Sequence, residues 1–306
     1  MGKMLVLLGV IAGATWLAYA AFAWNVGRRL KAADRSDLSV GNISGELTVL
    51  IPCRNEAEVL PHLLNDLQSQ SHPVRIVVID DASTDGTRRA AEAAGVTCIP
   101  AAGSGKKSAL ATGFKHVKTP WLATVDADVR LGADWARNLI ATAVREDAAC
   151  VLGGVVISAE PSTAWHRFQR LEFAVMQTWI AGGVQSGRLA MGSGANSLYA
   201  TADYPANALQ TEWASGDDAF ALLALLQADK AIKWCGGSDA EAVTSGAPSW
   251  KALWQQRARW ASKTGRQDSE TRRTALTIAA VHAVPVALAI GALITDGTTG
   301  WGVLVG

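Results

Sequence analysis

Cysteine is scarce. The four residues, Cys53, Cys98, Cys150 and Cys235, are too far apart to make a Cys-x-x-Cys pair, so neither a zinc knuckle nor a dithiol redox centre is written into the chain. They read as buried, reduced thiols. Neither sign of charge is in excess: 28 Lys and Arg face 27 Asp and Glu, for a formal net charge of +1. That balance carries no global signature of nucleic-acid binding. Internal repeats and low-complexity tracts are absent, and the 49% apolar content excludes a disordered chain. No Gly-x-Gly-x-x-Gly follows the first apolar strand, which disfavours a dinucleotide-dependent dehydrogenase.

Charge is missing altogether from two stretches. Residues 4–24 carry none, and neither do residues 274–294; each is about the 20 residues that a helix needs to cross a bilayer. Both therefore read as transmembrane helices, with Trp301 to Val305 in 295–306 resembling the start of a further apolar segment. Basic residues enrich cytoplasmic flanks. Arg28, Arg29, Lys31 and Arg35 follow the first run, and Lys263, Arg266, Arg272 and Arg273 precede the second. The expectation is a domain at 25–273 on the cytoplasmic face of the cell inner membrane. A cleaved signal peptide ending near Ala18-Tyr19-Ala20 is the rival reading, and the basic cluster after the run argues against it.

Residues 47–125 alternate short apolar runs with helical patterns, the mark of βαβ units and a parallel sheet. Strands are expected at 47–51, 74–79, 96–99 and 121–125, with helices at 56–71, 84–94, 106–117 and 134–145. A strand-like run at 150–158 follows, then an amphipathic stretch at 161–180. For that stretch a helix on a membrane surface and a plain core helix both stay open. Further on come a glycine turn at 192–194, helices near 217–228 and 249–264, and a strand near Ile232.

Polar groups gather at the carboxyl ends of the expected strands, where open α/β sheets bind ligands. Arg54, Asn55 and Glu56 end the first, Asp80 to Gly86 the second, and Asp126-Ala127-Asp128 the fourth. Asp81 to Asp85 taken alone also fits a turn with Ser83 or Thr84 capping a helix. The spaced pair Asp126 and Asp128 resists such an explanation. Carboxylates beside a buried strand are costly unless paired or bound to a metal, and a hard cation such as Mg²⁺ or Mn²⁺ suits them.

Six segments in order resemble a family 2 glycosyltransferase of the GT-A fold, over roughly residues 47–264. They are Ile51 to Glu56, Val78 to Thr87, Gly105 to Leu110, Asp126 to Asp128, Gly216-Asp217-Asp218, and the Gln-x-x-Arg-Trp element Gln256, Arg259 and Trp260. The resemblance implies an α/β GT-A domain with a nucleotide-sugar half at 46–150 and an acceptor half with interface helices at 151–273. It implies that Pro52, Arg54, Glu56, Asp80 and Asp81 line the nucleotide pocket, that Lys106 sits near the base or diphosphate, and that Asp126 and Asp128 hold donor and metal. Asp218 is implied as general base, with Gln256, Arg259 and Trp260 near the diphosphate and acceptor. The implied partners are a nucleoside-diphosphate sugar, a UDP-sugar foremost, a lipid or glycan acceptor and the bilayer, with no nucleic acid.

The implied reaction is inverting transfer, with a processive polysaccharide synthase subunit and an inactive sugar-nucleotide binder as alternatives. Two departures stand out: Gly-Asp-Asp replaces the common Glu-Asp, so Asp218 rather than Asp217 rests on register, and Arg54 stands where an aromatic is common. Gly192 to Ser197 resembles the family's acceptor-side loop, and a simple glycine turn explains it equally well. For Trp250 and Trp254 a membrane-interface belt is the preferred reading. A haloacid-dehalogenase-like phosphatase is disfavoured because Arg130 stands where its motif needs Thr or Val, and because the motif falls on the fourth strand.

Overall fold

The computed structural model describes residues 45–187, 192–208 and 216–262, with single positions 269 and 272. The two uncharged runs expected to cross a membrane lie outside the described residues. Among the described residues no helix is long and apolar enough to do so.

Among the described residues, ten strands and seven α-helices form two sheets and their covering layers. The strands are β1 (Leu47–Cys53), β2 (Val74–Asp80), β3 (Thr97–Pro100), β4 (Trp121–Thr124), β5 (Arg130–Leu131), β6 (Cys150–Gly153), β7 (Val155–Ile157), β8 (Ser197–Ala200), β9 (Ile232–Cys235) and β10 (Ala242–Thr244). The helices are α1 (Leu60–Gln68), α2 (Thr87–Ala93), α3 (Lys106–Phe114), α4 (Trp135–Arg145), α5 (Ala164–Gln185), α6 (Asp217–Gln227) and α7 (Trp250–Ala261). The main sheet runs β3-β2-β1-β4-β8-β6-β9, and the small one β5-β10-β7. In the main sheet β8 is antiparallel to both its neighbours, β4 and β6, while the other pairs are parallel.

Helices cover both faces, so the inner strands read as continuous apolar runs. Along β1 the faces alternate. Val49 and Ile51 join a cluster with Leu60, Leu63, Leu64 and Leu67 of α1 and Trp135 and Leu139 of α4. Leu50 joins the opposite one, with Leu110 of α3, Ile180 of α5 and Leu222 of α6. The α1 leucines recur at i, i+3, i+4 and i+7, one helical stripe. Gly113 lets α3 lie close on the sheet: a Cβ there would come within 2.8 Å of the Ile79 side chain.

Several expected boundaries move, for reasons local to each. Helix α1 starts at Leu60 rather than residue 56, because the Glu56 and Ala57 amides donate to Thr87 Oγ1 (2.8 Å) and Asp85 Oδ2 (3.1 Å). The run at 150–158 is two strands in different sheets, broken at Gly154. Strands β5, β8 and β10 are additional to the sequence expectations. All four cysteines are free thiols; Cys53, Cys150 and Cys235 are buried, and Cys98 is half-buried.

Candidate active site

Parallel pairing sets the ends of β1, β2 and β4 on one edge: Cys53 faces Asp80, and Leu50 faces Thr124. The chain leaves each strand into a polar loop there. Two of these loops are stitched together. Asn55, in the left-handed region at φ +59, accepts from the Thr84 amide at 2.8 Å, and the Asn55 amide donates to Ser83 Oγ at 3.0 Å. Ser83 and Thr84 therefore do not cap α2, whose N-cap is Gly86 without a side-chain bond. Asp85 serves the turn instead, accepting from the Thr87 amide at 2.9 Å and from the Thr87 hydroxyl at 2.5 Å.

The two adjacent aspartates are held differently. Asp80 accepts from the Ser83 amide (3.1 Å) and Arg88 Nη2 (3.0 Å). Burial pushes its pKa up, but the Ser83 and Arg88 hydrogen bonds outweigh it and hold the carboxyl below its ordinary range. Asp81 accepts from the Gly105 amide at 2.9 Å and lies 3.7 Å from Arg54 Nη1. Asp81 thus ties the β2 end to the start of α3, and Arg54, 59% exposed, leans over it.

From the first turn of α3, Lys106 Nζ reaches Asp126 Oδ1 at 2.5 Å. Asp128 opens to solvent, with Oδ2 accepting from Thr244 Oγ1 at 3.3 Å. The surrounding protein desolvates it in part and Asp126 adds like charge, so its pKa is raised. Glu56 is raised likewise, by burial first and then by Asp128, Asp126 and Asp85. Glu56, Asp126 and Asp128 therefore share one negative field.

That field fits a divalent cation. Among the described residues no three His, Cys, Asp or Glu side chains close on one point, so protein alone builds no cage. One or two carboxylates whose remaining ligands come from phosphates suit Mg²⁺ or Mn²⁺, and a positive group, Lys106, already occupies one side of Asp126.

The remaining expected residues stand elsewhere. Pro52 is half-buried within β1. Asp218 lies in the first turn of α6, which opens after Gly216 at φ +96, and its Oδ1 accepts from the Ala219 amide at 2.8 Å. Its charge reaches Tyr199 of β8: burial, then Cys150 and Tyr204, and last Asp218 raise that phenol. Gln256, Arg259 and Trp260 are on α7. Their described side-chain contacts run to Arg257 and α5: Gln256 accepts from Arg257, and Trp260 lies 6.1 Å from the Phe173 ring, while Arg259 is exposed.

Three residues here escaped the sequence reading. Arg257 bridges α7 to α5 by bonding both Glu172 oxygens (3.0 and 2.5 Å), and stacks 4.4 Å over the Trp260 ring. Its i, i+3 spacing to Trp260 was the available signal. Thr244 partners Asp128 from 116 residues away, for which the sequence carries no signal. Asn196 is fully buried: its amide donates to the Gly154 and Ala240 carbonyls at 2.8 Å each, and its oxygen accepts from Trp135 Nε1 at 2.8 Å. Asn196 thus pins the end of the 192–197 segment to the β6–β7 junction, to Ala240 and to α4 through its side chain.

A family model, glycosyl transferase family 2, matches residues 48–202, half of the 306-residue chain. Asp218 and the Gln-x-x-Arg-Trp element lie beyond that match. A 4,4'-diaponeurosporenoate glycosyltransferase from Staphylococcus aureus is 39% identical over 89 residues, 27% of this chain. The match spans about a quarter of that relative's length (24%). Among solved structures, a mannosyltransferase from Pyrobaculum calidifontis in complex with GDP-Man and Mn²⁺ aligns with a TM-score of 0.63 at 18% identity, covering 95% of this chain and 91% of that one. Glucosyl-3-phosphoglycerate synthase from Mycobacterium tuberculosis, in complex with Mn²⁺, UDP and glucosyl-3-phosphoglycerate, aligns at 0.51 and 16% identity, covering 80% and 82%. At such identities the likeness shows a common fold, the GT-A α/β arrangement.

Proposed function

The chain belongs to glycosyl transferase family 2, and from that premise we propose that it moves a sugar from a nucleoside-diphosphate sugar, a UDP-sugar foremost, to a lipid or membrane-associated glycan, with inversion at the anomeric carbon. The observation that carries this reading is the shared carboxyl edge of β1, β2 and β4, where Asp81, Lys106, Asp126 and Asp128 meet. The relatives complexed with GDP-Man, UDP and Mn²⁺ support a nucleotide donor and a divalent metal.

In this mechanism Asp81 and Arg54 face the nucleoside, with Pro52 and Glu56 beside them and Asp80 buttressed behind by Arg88. Asp126 and Asp128 would hold Mg²⁺ or Mn²⁺, whose chemistry there is to neutralise charge on the departing diphosphate. Lys106 exchanges its bond to Asp126 for the diphosphate. Asp218 takes the proton from the acceptor hydroxyl as its oxygen attacks from the face opposite the leaving group. Arg259 supplies a rigid charged fork near the diphosphate, and Gln256 and Trp260 line the acceptor side. Residues 4–24 and 274–294 anchor the domain on the cytoplasmic face.

The test is the full chain in isolated membranes, given a panel of labelled nucleoside-diphosphate sugars with and without chelator. Lipid-soluble product that disappears on chelation and returns with Mn²⁺ is expected. Full transfer in excess chelator removes the metal, and absence of any product from well-folded protein removes the activity. A reporter fused after residue 264 should behave as cytoplasmic; lumenal or periplasmic labelling overturns the orientation.

A further inference from the structure

Lys107 is buried, only 2% exposed, among the bulkiest side chains closed off from solvent. Lysine is rarely found in such a place, because an ammonium taken out of water costs free energy that its surroundings must offset. The position adds to the cost. Lys107 is the second residue of α3, where the free amides of the first turn already present positive charge and favour anions. An apolar side chain of the same length would be the more stable occupant. Catalysis through Lys106, Asp126, Asp128 and Asp218 makes no use of Lys107.

What Lys107 reaches is the acceptor half. Its Nζ lies 4.4 Å from the centroid of the Phe220 ring, within the range at which an aromatic face attracts a cation, and the attraction is stronger out of water. Phe220 is itself buried, and it stands in the first turn of α6 two residues after Asp218. Below this contact the two helices share a floor: Leu110 of α3 and Ala221, Leu222 and Leu225 of α6 belong to one apolar cluster. That floor holds the body of α6. The first turn has less of its own to hold it, since the chain enters through Gly216 in the left-handed region at φ +96, and this N-cap makes no side-chain hydrogen bond.

Two neighbouring lysines thus divide one turn of α3 between the halves. Consecutive helical residues point roughly 100° apart, so Lys106 reaches Asp126 on the donor side while Lys107 reaches α6 on the other. The turn that carries them is fixed in turn, because the Gly105 amide donates to Asp81 at the end of β2. A continuous path of contacts runs from the donor edge through Asp81, Gly105, Lys107 and Phe220 to the turn that bears Asp218.

We propose that Lys107 is a positioning residue: through Phe220 it holds the first turn of α6, and with it Asp218, in register with the donor edge of the sheet. The proposal rests on the sugar-transfer reading for the role of Asp218, and on α3 and α6 for its geometry. The full chain in detergent is compared with Lys107→Met, Phe220→Leu and the variant carrying both. Methionine keeps the unbranched shape without the charge, so global stability should hold or rise.

Amide exchange across residues 216–222 should quicken about tenfold in each single variant, while β1 and α1 stay as protected as in the unaltered chain. Transfer in single turnover should fall between about 10- and 100-fold with the donor KM unchanged, as expected when a reacting group is displaced while donor binding is intact. The double variant should fall no further than the worse single one, because the two side chains act as a unit. Unaltered exchange across 216–222 in Lys107→Met overturns the proposal, and so does exchange that quickens equally throughout the domain, which makes Lys107 an ordinary part of the core. Quickened exchange with normal transfer, or a loss that falls on the donor KM, severs the seat of α6 from Asp218 and overturns it too. Exchange is read without substrate, so local quickening in a protein whose unaltered form transfers no sugar counts against the enzyme reading alone.

Discussion

The edge of β1, β2 and β4 and the α5–α7 face carry opposite fields on one nearly neutral chain. At the first, burial and the neighbouring carboxylates raise the pKa of Glu56 and Asp128, and Lys106 pairs with Asp126. At the second, exposed bases surround exposed rings and the one acid is already matched. A net charge of +1 averages the two away. Local sign, rather than the sum, is what sets the two regions apart.

The largest expected effect concerns the chemical step and falls on Asp218 of α6, outside both regions. Asp218→Asn keeps size and shape while removing the proton acceptor, so transfer should fall about 10²- to 10⁴-fold with donor affinity nearly unchanged. Asp217→Asn should be milder. Single-turnover transfer and nucleotide affinity decide, and a dead Asp217→Asn beside a near-normal Asp218→Asn would exchange their roles. Asn196→Leu comes next, because it strands the Trp135 N–H and the Gly154 and Ala240 carbonyls. Roughly 2–5 kcal/mol of stability should be lost, read from the denaturant midpoint. If only one region then unfolds at lower denaturant, the two are separate units rather than one.

Asp128→Asn should weaken donor binding and the metal response together, by at least the roughly 10- to 100-fold that losing a mere partner of a metal ligand costs. Protons compete for the same carboxylates. Since Asp128 and Glu56 are raised, metal affinity should decline with falling pH sooner than isolated carboxylates would make it. Stability runs the other way. The folded state holds protons that the unfolded chain has released, so metal-free stability drops as pH climbs from the ordinary carboxylate range through the raised values. Added Mn²⁺ should cancel that drop in melts from about pH 4 to 7, and a flat metal-free profile would contradict the shared field. Smallest is Arg257→Ala: a partly exposed ion pair and two ring contacts, with Phe173 and Trp260, amount to about 1–2 kcal/mol. A much larger loss would mean that α7 depends on Arg257 for its seat.

The parallel strands were legible because burial on both faces leaves an uninterrupted apolar run, as in Leu47 to Ile51 and Val74 to Ile79. The Asp126 and Asp128 pair was legible because carboxylates after such a run stand out. Boundaries slipped where the first amides of a helix are engaged elsewhere, as at Glu56 and Ala57, or where capping residues turn to another loop, as Ser83 and Thr84 turn to Asn55. Strands of two to four residues, β5, β8 and β10, are too short for a period to register. Asn196 sits among glycines and alanine, which mask a buried hub as a turn.

Chain order and side-chain periodicity are local properties, so the sequence alone determined the βαβ half, the set of carboxylates at its strand ends and the two uncharged runs. Which of those carboxylates share a field, and which stripe of α5 faces water, depended on contacts between distant positions: Asp128 with Thr244, Glu172 with Arg257, Asn196 with Ala240. The amphipathic pattern at 161–180 fits a core helix and an interfacial one alike. Only the fold, by giving the inward His166, Gln169 and Gln177 their backbone partners, left Phe168 and Leu171 on the outside, since buried polar groups are tolerated once hydrogen-bonded.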